Sequence, residues 1–158
     1  KADQMDPLLR SAAELGVAEI RLLACDRSVP RLEGSREEAK KGRWERILHE
    51  ATRQAGSLEP PRLLAPVPVD RTPEEGLPSR RFGAFLAPDT EPLGRFLPLG
   101  EAAVAVGPEG DWSDREVRVL RDRGFHPVGL GPRILRAATA ATVACGALRL
   151  AWEARVDP

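Results

Sequence analysis

The sequence predicts an α/β fold built on a mainly parallel sheet. Two observations carry that prediction. Stretches with apolar residues at helical spacing alternate along the chain with short apolar runs, and two of these runs, late in the chain, end in Gly-Pro turns at Gly107-Pro108 and Gly131-Pro132. Strands separated by helices line up side by side in parallel, because tight hairpins cannot join them.

The elements follow in order. Met5, Leu8, Leu9, Ala12 and Ala13 recur at helical spacing, and Leu15-Gly16 stops the pattern. Glu19 to Ala24 reads as a short buried strand through Ile20, Leu22 and Leu23. Ser35 begins a second helix, with Glu38 at the spacing of a capping box and Trp44, Ile47, Leu48, Ala51 and Ala55 as one apolar stripe. Pro60-Pro61 breaks the chain before a strand at Arg62 to Ala65. Residues 66–80 read as a surface connection, Gly83 to Ala87 as a strand, and Pro88 to Pro98 as a loop. Ala102 to Val106 is an apolar strand ended by Gly107-Pro108. Ser113 caps a helix running to about Arg123, again with a capping-box partner in Glu116. Phe125 to Leu130 makes the last strand, and the last helix runs from Leu135 to Glu153. Small residues dominate that helix (Ala137, Ala138, Ala140, Ala141, Ala144, Gly146, Ala147), which suits a tight self-association surface or an ordinary closely packed core.

Composition bounds the function. The 158 residues fit one domain, here taken as 1–158. Lys plus Arg equals Asp plus Glu at 24 each, so no basic excess announces a nucleic-acid binder. No run approaches the length of a membrane span, no signal peptide is visible, and no membrane role is expected. Cys25 and Cys145 stand alone, and His49 and His126 lack metal spacing; buried thiols in a reducing cytosol are expected, and no metal. The helix beginning at Ser35 carries Arg36, Lys40, Lys41, Arg43, Arg46 and Arg53 interspersed with Glu37, Glu38, Glu45 and Glu50, readable as an RNA-contacting face or as a solvated one.

Ligands of open parallel sheets sit beyond the carboxyl ends of the strands, which directs attention to two turns. The first reads Val106-Gly107-Pro108-Glu109-Gly110-Asp111-Trp112, and the second Leu130-Gly131-Pro132-Arg133-Ile134-Leu135-Arg136. From the residues alone, each is either a plain tight connection or a ligand loop. Neither matches a phosphate-binding Gly-x-x-x-x-Gly-Lys loop or the Gly-x-Gly-x-x-Gly of dinucleotide binders, which argues against nucleotide hydrolysis and hydride transfer. Ser113 is accounted for as a cap and has no His at triad spacing.

In this order, the two turns resemble the paired signature of the ribosomal RNA small subunit methyltransferase E family, the 16S ribosomal RNA uridine-N3 methyltransferases. Ala13-Glu14-Leu15-Gly16-Val17, Arg27-Ser28-Val29-Pro30, Arg43-Trp44, and Glu50-Ala51 with Gln54 fall in the family's order, so the resemblance spans nearly the whole chain. It implies a SPOUT-type α/β fold with helices on both faces of the sheet and a C-terminal trefoil knot. It also implies S-adenosyl-L-methionine as cofactor, a homodimer, 16S ribosomal RNA or the 30S subunit as partner, and a cytoplasmic location. The cofactor residues it implies are Gly107, Pro108, Glu109, Gly110, Leu130, Gly131, Ile134 and Leu135, with Leu86, Ala87 and Pro88 as a third wall. Arg136 and Glu109 are the catalytic candidates, and Arg133 and Arg136 the RNA-binding ones. The family's N-terminal β-barrel RNA-binding domain is expected to be absent from this chain.

Three departures stand out. Asp111 occupies a position where the family usually has Gly, Ala138 one where it has Glu, and Ser57-Leu58 one near which it has Arg. Transfer RNA as substrate, or an RNA- or ribosome-binding module with impaired catalysis, are the alternatives that remain.

Overall fold

The computed structural model describes residues 2–28, 35–97 and 100–156. In chain order the helices are α1 (Ala2–Glu14), α2 (Ser35–Gln54), α3 (Asp114–Asp122) and α4 (Ala137–Val156). The strands are β1 (Glu19–Ala24), β2 (Arg62–Pro68), β3 (Arg80–Ala84), β4 (Glu91–Pro92), β5 (Ala102–Val106) and β6 (Phe125–Gly129). Single 3-10 turns follow β2 and β4.

The expected parallel architecture is present, divided between two sheets. β1 pairs with β2, from Glu19 opposite Arg62 to Ala24 opposite Pro68. The second sheet has the order β4-β6-β3-β5, and every neighbouring pair in it is parallel. The alternation of side chains along β5 shows what covers this sheet: Ala105 points into a core with Trp112, Leu120 and Val117 on the α3 side, whereas Ala102 and Val104 join Ala144 and Leu148 of α4. Helices therefore cover both faces. A third core packs Leu9 and Ala13 of α1 and Trp44, Ile47 and Leu48 of α2 against Ile20, Leu22 and Leu63 of the smaller sheet.

Helix ends follow the chemistry of the chain. After α1, Gly16 takes φ +69°, its N–H reaches Ala13 O at 3.1 Å, and Val17 N–H reaches Ala12 O at 3.0 Å. Gly56 closes α2 in the same way, at φ +73° with Ser57 N–H on Thr52 O at 3.0 Å. Both are Schellman stops that satisfy terminal carbonyls, and both need a left-handed residue that glycine supplies without a Cβ clash. At α3, Ser113 accepts from Glu116 N–H while the Glu116 side chain accepts from Ser113 N–H, so the predicted capping box is complete. The Ser35 side chain lies outside the described residues.

Four expectations need correction. β3 runs Arg80–Ala84 rather than Gly83–Ala87. Its charged start is compatible with a sheet because Arg81 donates to the carbonyls of Pro78 (2.9 Å) and Arg123 (2.8 Å) and pairs with Glu74. β2 continues through Pro66 to Pro68, which an edge strand tolerates because its outward N–H is not needed in the ladder. The stretch read as a loop from Pro88 contains β4, paired with Val128 and Gly129. Finally, α4 starts at Ala137, two residues later than Leu135, with Arg136 O accepting from Ala140 N–H at 2.8 Å as the first turn closes.

Candidate functional site

Parallel register determines where the loops lie. Ala84 is opposite both Val106 and Val128, so β3, β5 and β6 end level at one edge of the sheet. The segments leaving that edge are 85–90, 107–113 and 130–136, which carry the residues predicted to form the site. β3 lies between β5 and β6, and adjacent strands are ~4.8 Å apart, so the two glycine-containing turns flank a gap of roughly 10 Å over the exit of β3.

The first turn is built from below. Trp112 is buried beneath it, with its indole N–H donating to Ala84 O at 3.2 Å and its ring edge-on to Phe85. A Cβ on Gly107 would stand 2.9 Å from the indole nitrogen, so this close packing requires glycine there. Asp111 N–H closes the turn on Pro108 O at 2.9 Å, and Asp111 itself has φ +58°. That left-handed backbone favours glycine, and Asp tolerates it better than most residues with a side chain.

The end of β1 joins the turn. Glu116, fully buried, accepts Asp26 N–H and Ser113 N–H, both at 2.8 Å. Ser113 Oγ donates to Asp26 Oδ2 at 2.7 Å, and Arg115 pairs with both Asp26 and Asp70. The Arg115 bond, followed by that from Ser113, holds the Asp26 carboxyl below the usual range. Burial, and then the Glu116 and Asp26 charges, push the Cys25 thiol up to about 12. The raised value keeps Cys25 in its thiol form at neutral pH.

The other two segments differ from the first. In 85–90, Thr90 bonds back to Ala87 O through its N–H (3.3 Å) and its hydroxyl (3.0 Å), and Asp89 forms a two-pronged pair with Arg121. Ala87 packs on the core while Leu86 is 62% exposed. In 130–136, Leu130 packs on the α4-side core, Ile134 is 81% exposed, and Gly131 takes φ +119° with open space beside it. Pro88, Pro132, Arg133 and Arg136 are exposed, Leu135 is half-buried, and neither arginine enters an ion pair among the described residues.

Gly107, Pro108, Glu109 and Gly110 also line a cleft of about 1810 Å³ between the two sheets, together with Ala137, Ala138 and Ala141 of α4. Residues 130–136 and 86–88 do not line it. The three segments are therefore gathered by the sheet edge, and the cleft opens on the first of them only. Sequence reading named Trp112 and Arg27 within their motifs without a role, and saw Glu116 only as a capping-box partner and not in its buried role. The Ser113/Glu116 spacing was the one visible signal for the last of these.

On the basic face of α2, Lys41 pairs with Glu45, Arg43 with Asp6, and Lys40 lies over the Trp44 ring at 4.9 Å. These contacts favour the solvated-face reading there. No group of His, Cys, Asp and Glu suited to a metal occurs among the described residues, and no described helix is long and apolar enough to cross a membrane.

Comparison with known proteins places this geometry. Residues 1–149 match the family model of the RNA methyltransferase domain. The chain is 31% identical to the ribosomal RNA small subunit methyltransferase E of Synechocystis, over 97% of this chain and 51% of that protein. It is 33% identical to the Aquifex aeolicus protein of the same name, over 86% of this chain and 58% of that one. Among solved structures, a Legionella pneumophila protein in complex with the bound cofactor SAM superposes with TM-score 0.84 at 32% identity, covering 94% of this chain and 61% of that one. The Neisseria gonorrhoeae ribosomal RNA small subunit methyltransferase E bound to S-adenosyl methionine gives 0.80 at 30% identity, covering 95% and 62%. The chain thus spans about half to two thirds of the length of these relatives. With a match from its first residue into α4, it belongs to the RNA methyltransferase domain family.

Proposed function

We propose that this chain is the catalytic domain, 1–158, of an S-adenosylmethionine-dependent RNA methyltransferase acting on N3 of a uridine in 16S ribosomal RNA, in the cytoplasm. The observation that carries the reading is the common level at which β3, β5 and β6 end, so that segments 85–90, 107–113 and 130–136 all leave one carboxyl edge of a parallel sheet. The family match and the two cofactor-bound neighbours support it.

The edge fits the cofactor in kind. Exposed apolar Leu86 and Ile134, with open backbone at Gly131, suit a ligand with a flat apolar ring and backbone-reading polar groups. Leu86, Ala87 and Pro88, Gly107 through Gly110, and Leu130, Gly131, Ile134 and Leu135 would hold it. When bound, it supplies an electrophilic methyl carbon. The protein's part is to bring the acceptor nitrogen in line with that carbon and to deal with the N3 proton. Arg136 is exposed beside the start of α4, free to hold a uracil oxygen as negative charge develops on it. Glu109, exposed on the first turn, is the carboxylate available to assist proton removal. Arg133 contacts RNA phosphate in this reading.

The proposal includes the trefoil knot and the homodimer implied by the resemblance. The homodimer draws support from Val143, Leu150 and Trp152, which are apolar and exposed on α4. Ala138 favours a second reading, an RNA- or ribosome-binding module with impaired catalysis, because no carboxylate stands at that point of the α4 start. Calorimetry with S-adenosylmethionine, followed by transfer of its labelled methyl group to naked or 30S-bound 16S RNA, tests the proposal. Binding with label on a uridine N3 is the expected result. Lack of cofactor binding overturns it, and binding without transfer to any RNA favours the second reading.

A further inference from the structure

We propose that Arg27 is the positioning residue of the turn between β5 and α3, holding it in the shape that receives the cofactor; this rests on the methyltransferase reading above. Arg27 lies just beyond the end of β1, yet its Nη1 donates to Gly110 O at 3.2 Å and to Trp112 O at 3.1 Å. The approach is close. A Cβ on Gly110 would stand 3.0 Å from Arg27 Cβ and 3.2 Å from its carbonyl oxygen, so a side chain at 110 would push the two segments apart by a few tenths of an ångström.

The two carbonyls flank Asp111, the residue whose φ of +58° sets the direction of the turn. Each planar peptide group fixes its N–H when its C=O is held. With both carbonyls on one guanidinium, the amide directions at Asp111 and Ser113 are set before any ligand arrives. Asp111 N–H closes on Pro108 O, and Ser113 N–H on Glu116.

Arg27 can act in this way because Asp26, the residue before it, is anchored independently of the Arg27 side chain. Asp26 N–H sits on the buried Glu116 carboxylate, and Asp26 Oδ2 accepts from Ser113 Oγ. A loop so tied keeps the guanidinium aimed. Such preorganisation acts on ligand affinity by removing an ordering cost from the binding step.

The test uses the wild-type chain and the variants Arg27→Ala, Arg27→Lys and Arg115→Ala, with S-adenosylmethionine affinity by calorimetry and amide hydrogen exchange of the ligand-free protein. Arg27 is exposed, so Arg27→Ala is expected to keep the melting midpoint nearly unchanged. It is expected to weaken cofactor binding about 10-fold, the scale of losing a hydrogen bond from a charged donor, and to speed exchange at Asp111. Arg27→Lys, with one ammonium in reach, is expected to recover roughly half of that loss on a logarithmic scale. Arg115→Ala, which removes the neighbouring ion pairs but no bond to the turn, is expected to bind within about twofold of wild type. Wild-type affinity in Arg27→Ala, or an equal loss in Arg115→Ala, overturns the positioning role and leaves the methyltransferase reading standing. If the wild-type chain itself does not bind the cofactor, both fall.

Discussion

The turns that leave β5 and β6 are separated by one strand and prepared in opposite ways. The first rests on a buried tryptophan, closes on its own backbone, and is tied through Arg27 and Glu116 to the end of β1. The second has Ile134 largely in solvent, Gly131 at φ +119° in open space, and two arginines outside every ion pair of the described residues. Interactions already made within the protein fix shape, whereas those left unmade are available to ligand and substrate. The first turn is thus the rigid half of the edge and the second the receptive half. Removing Trp112, on which the first turn rests, should act mainly on stability, and removing Arg136, left without an ion pair among the described residues at the second, mainly on turnover.

Trp112→Ala gives the largest expected effect. It removes a buried ring, its bond to Ala84 O and the edge-on contact with Phe85, so a loss of about 3–5 kcal/mol in unfolding free energy is expected. Denaturant titration reads it, and a loss below about 1 kcal/mol would show that the turn is not built on the ring. Arg136→Ala is expected to be the reverse case. Methyl transfer falls about 100-fold, as for loss of an oxyanion-type donor, while cofactor affinity and melting midpoint hold. Single-turnover rates with calorimetry separate the two effects, and unchanged turnover removes Arg136 from the mechanism.

How far this contrast was legible beforehand depends on the range of the contacts. Local signals were readable: the Gly stop after α1, the Ser113/Glu116 box and the strand ending at Gly107 each depend on neighbours in sequence. Gly107 to Gly110 and Gly131 were singled out, and the register brings their turns to one edge. The start of β3 was missed because Arg81 looks like a surface residue until Arg123 O, 42 positions away, is seen to accept its proton. Arg27 likewise appeared only as part of an ordered motif, since its carbonyl partners lie 83 and 85 residues on. Asp111 was visible as a departure from glycine, but only φ gives that departure a physical cause.

That cause sharpens the contrast with a smaller effect. Asp111→Ala places a residue without a polar side chain in the left-handed region, so a loss of about 1 kcal/mol is expected, whereas Asp111→Gly should hold or raise stability. Thermal melts of the two variants read the difference. Equal melting midpoints would mean that the turn relaxes out of its left-handed conformation.

The smallest effect concerns pH and the third segment, 85–90, which borrows its rigidity from α3. The Arg121 bond holds the Asp89 carboxyl below its ordinary value, and Asp89 raises Arg121 in turn. A carboxyl depressed in the folded state stabilises fully above its unfolded value of ~3.9 and loses that contribution as pH falls through the lower folded value. Arg121 stays charged throughout, so Asp89 alone sets the window. Asp89→Asn removes the pair at every pH, so its melting midpoint should lie slightly below wild type at pH 6 and converge with it as pH falls through the lowered folded value of Asp89. The comparison cancels Asp26 and Glu91, whose carboxyls are also depressed but are unchanged between the two proteins. A gap between wild type and variant that persists unchanged to pH 2 would mean that Asp89 supports Leu86 to Pro88 through its shape and not its charge.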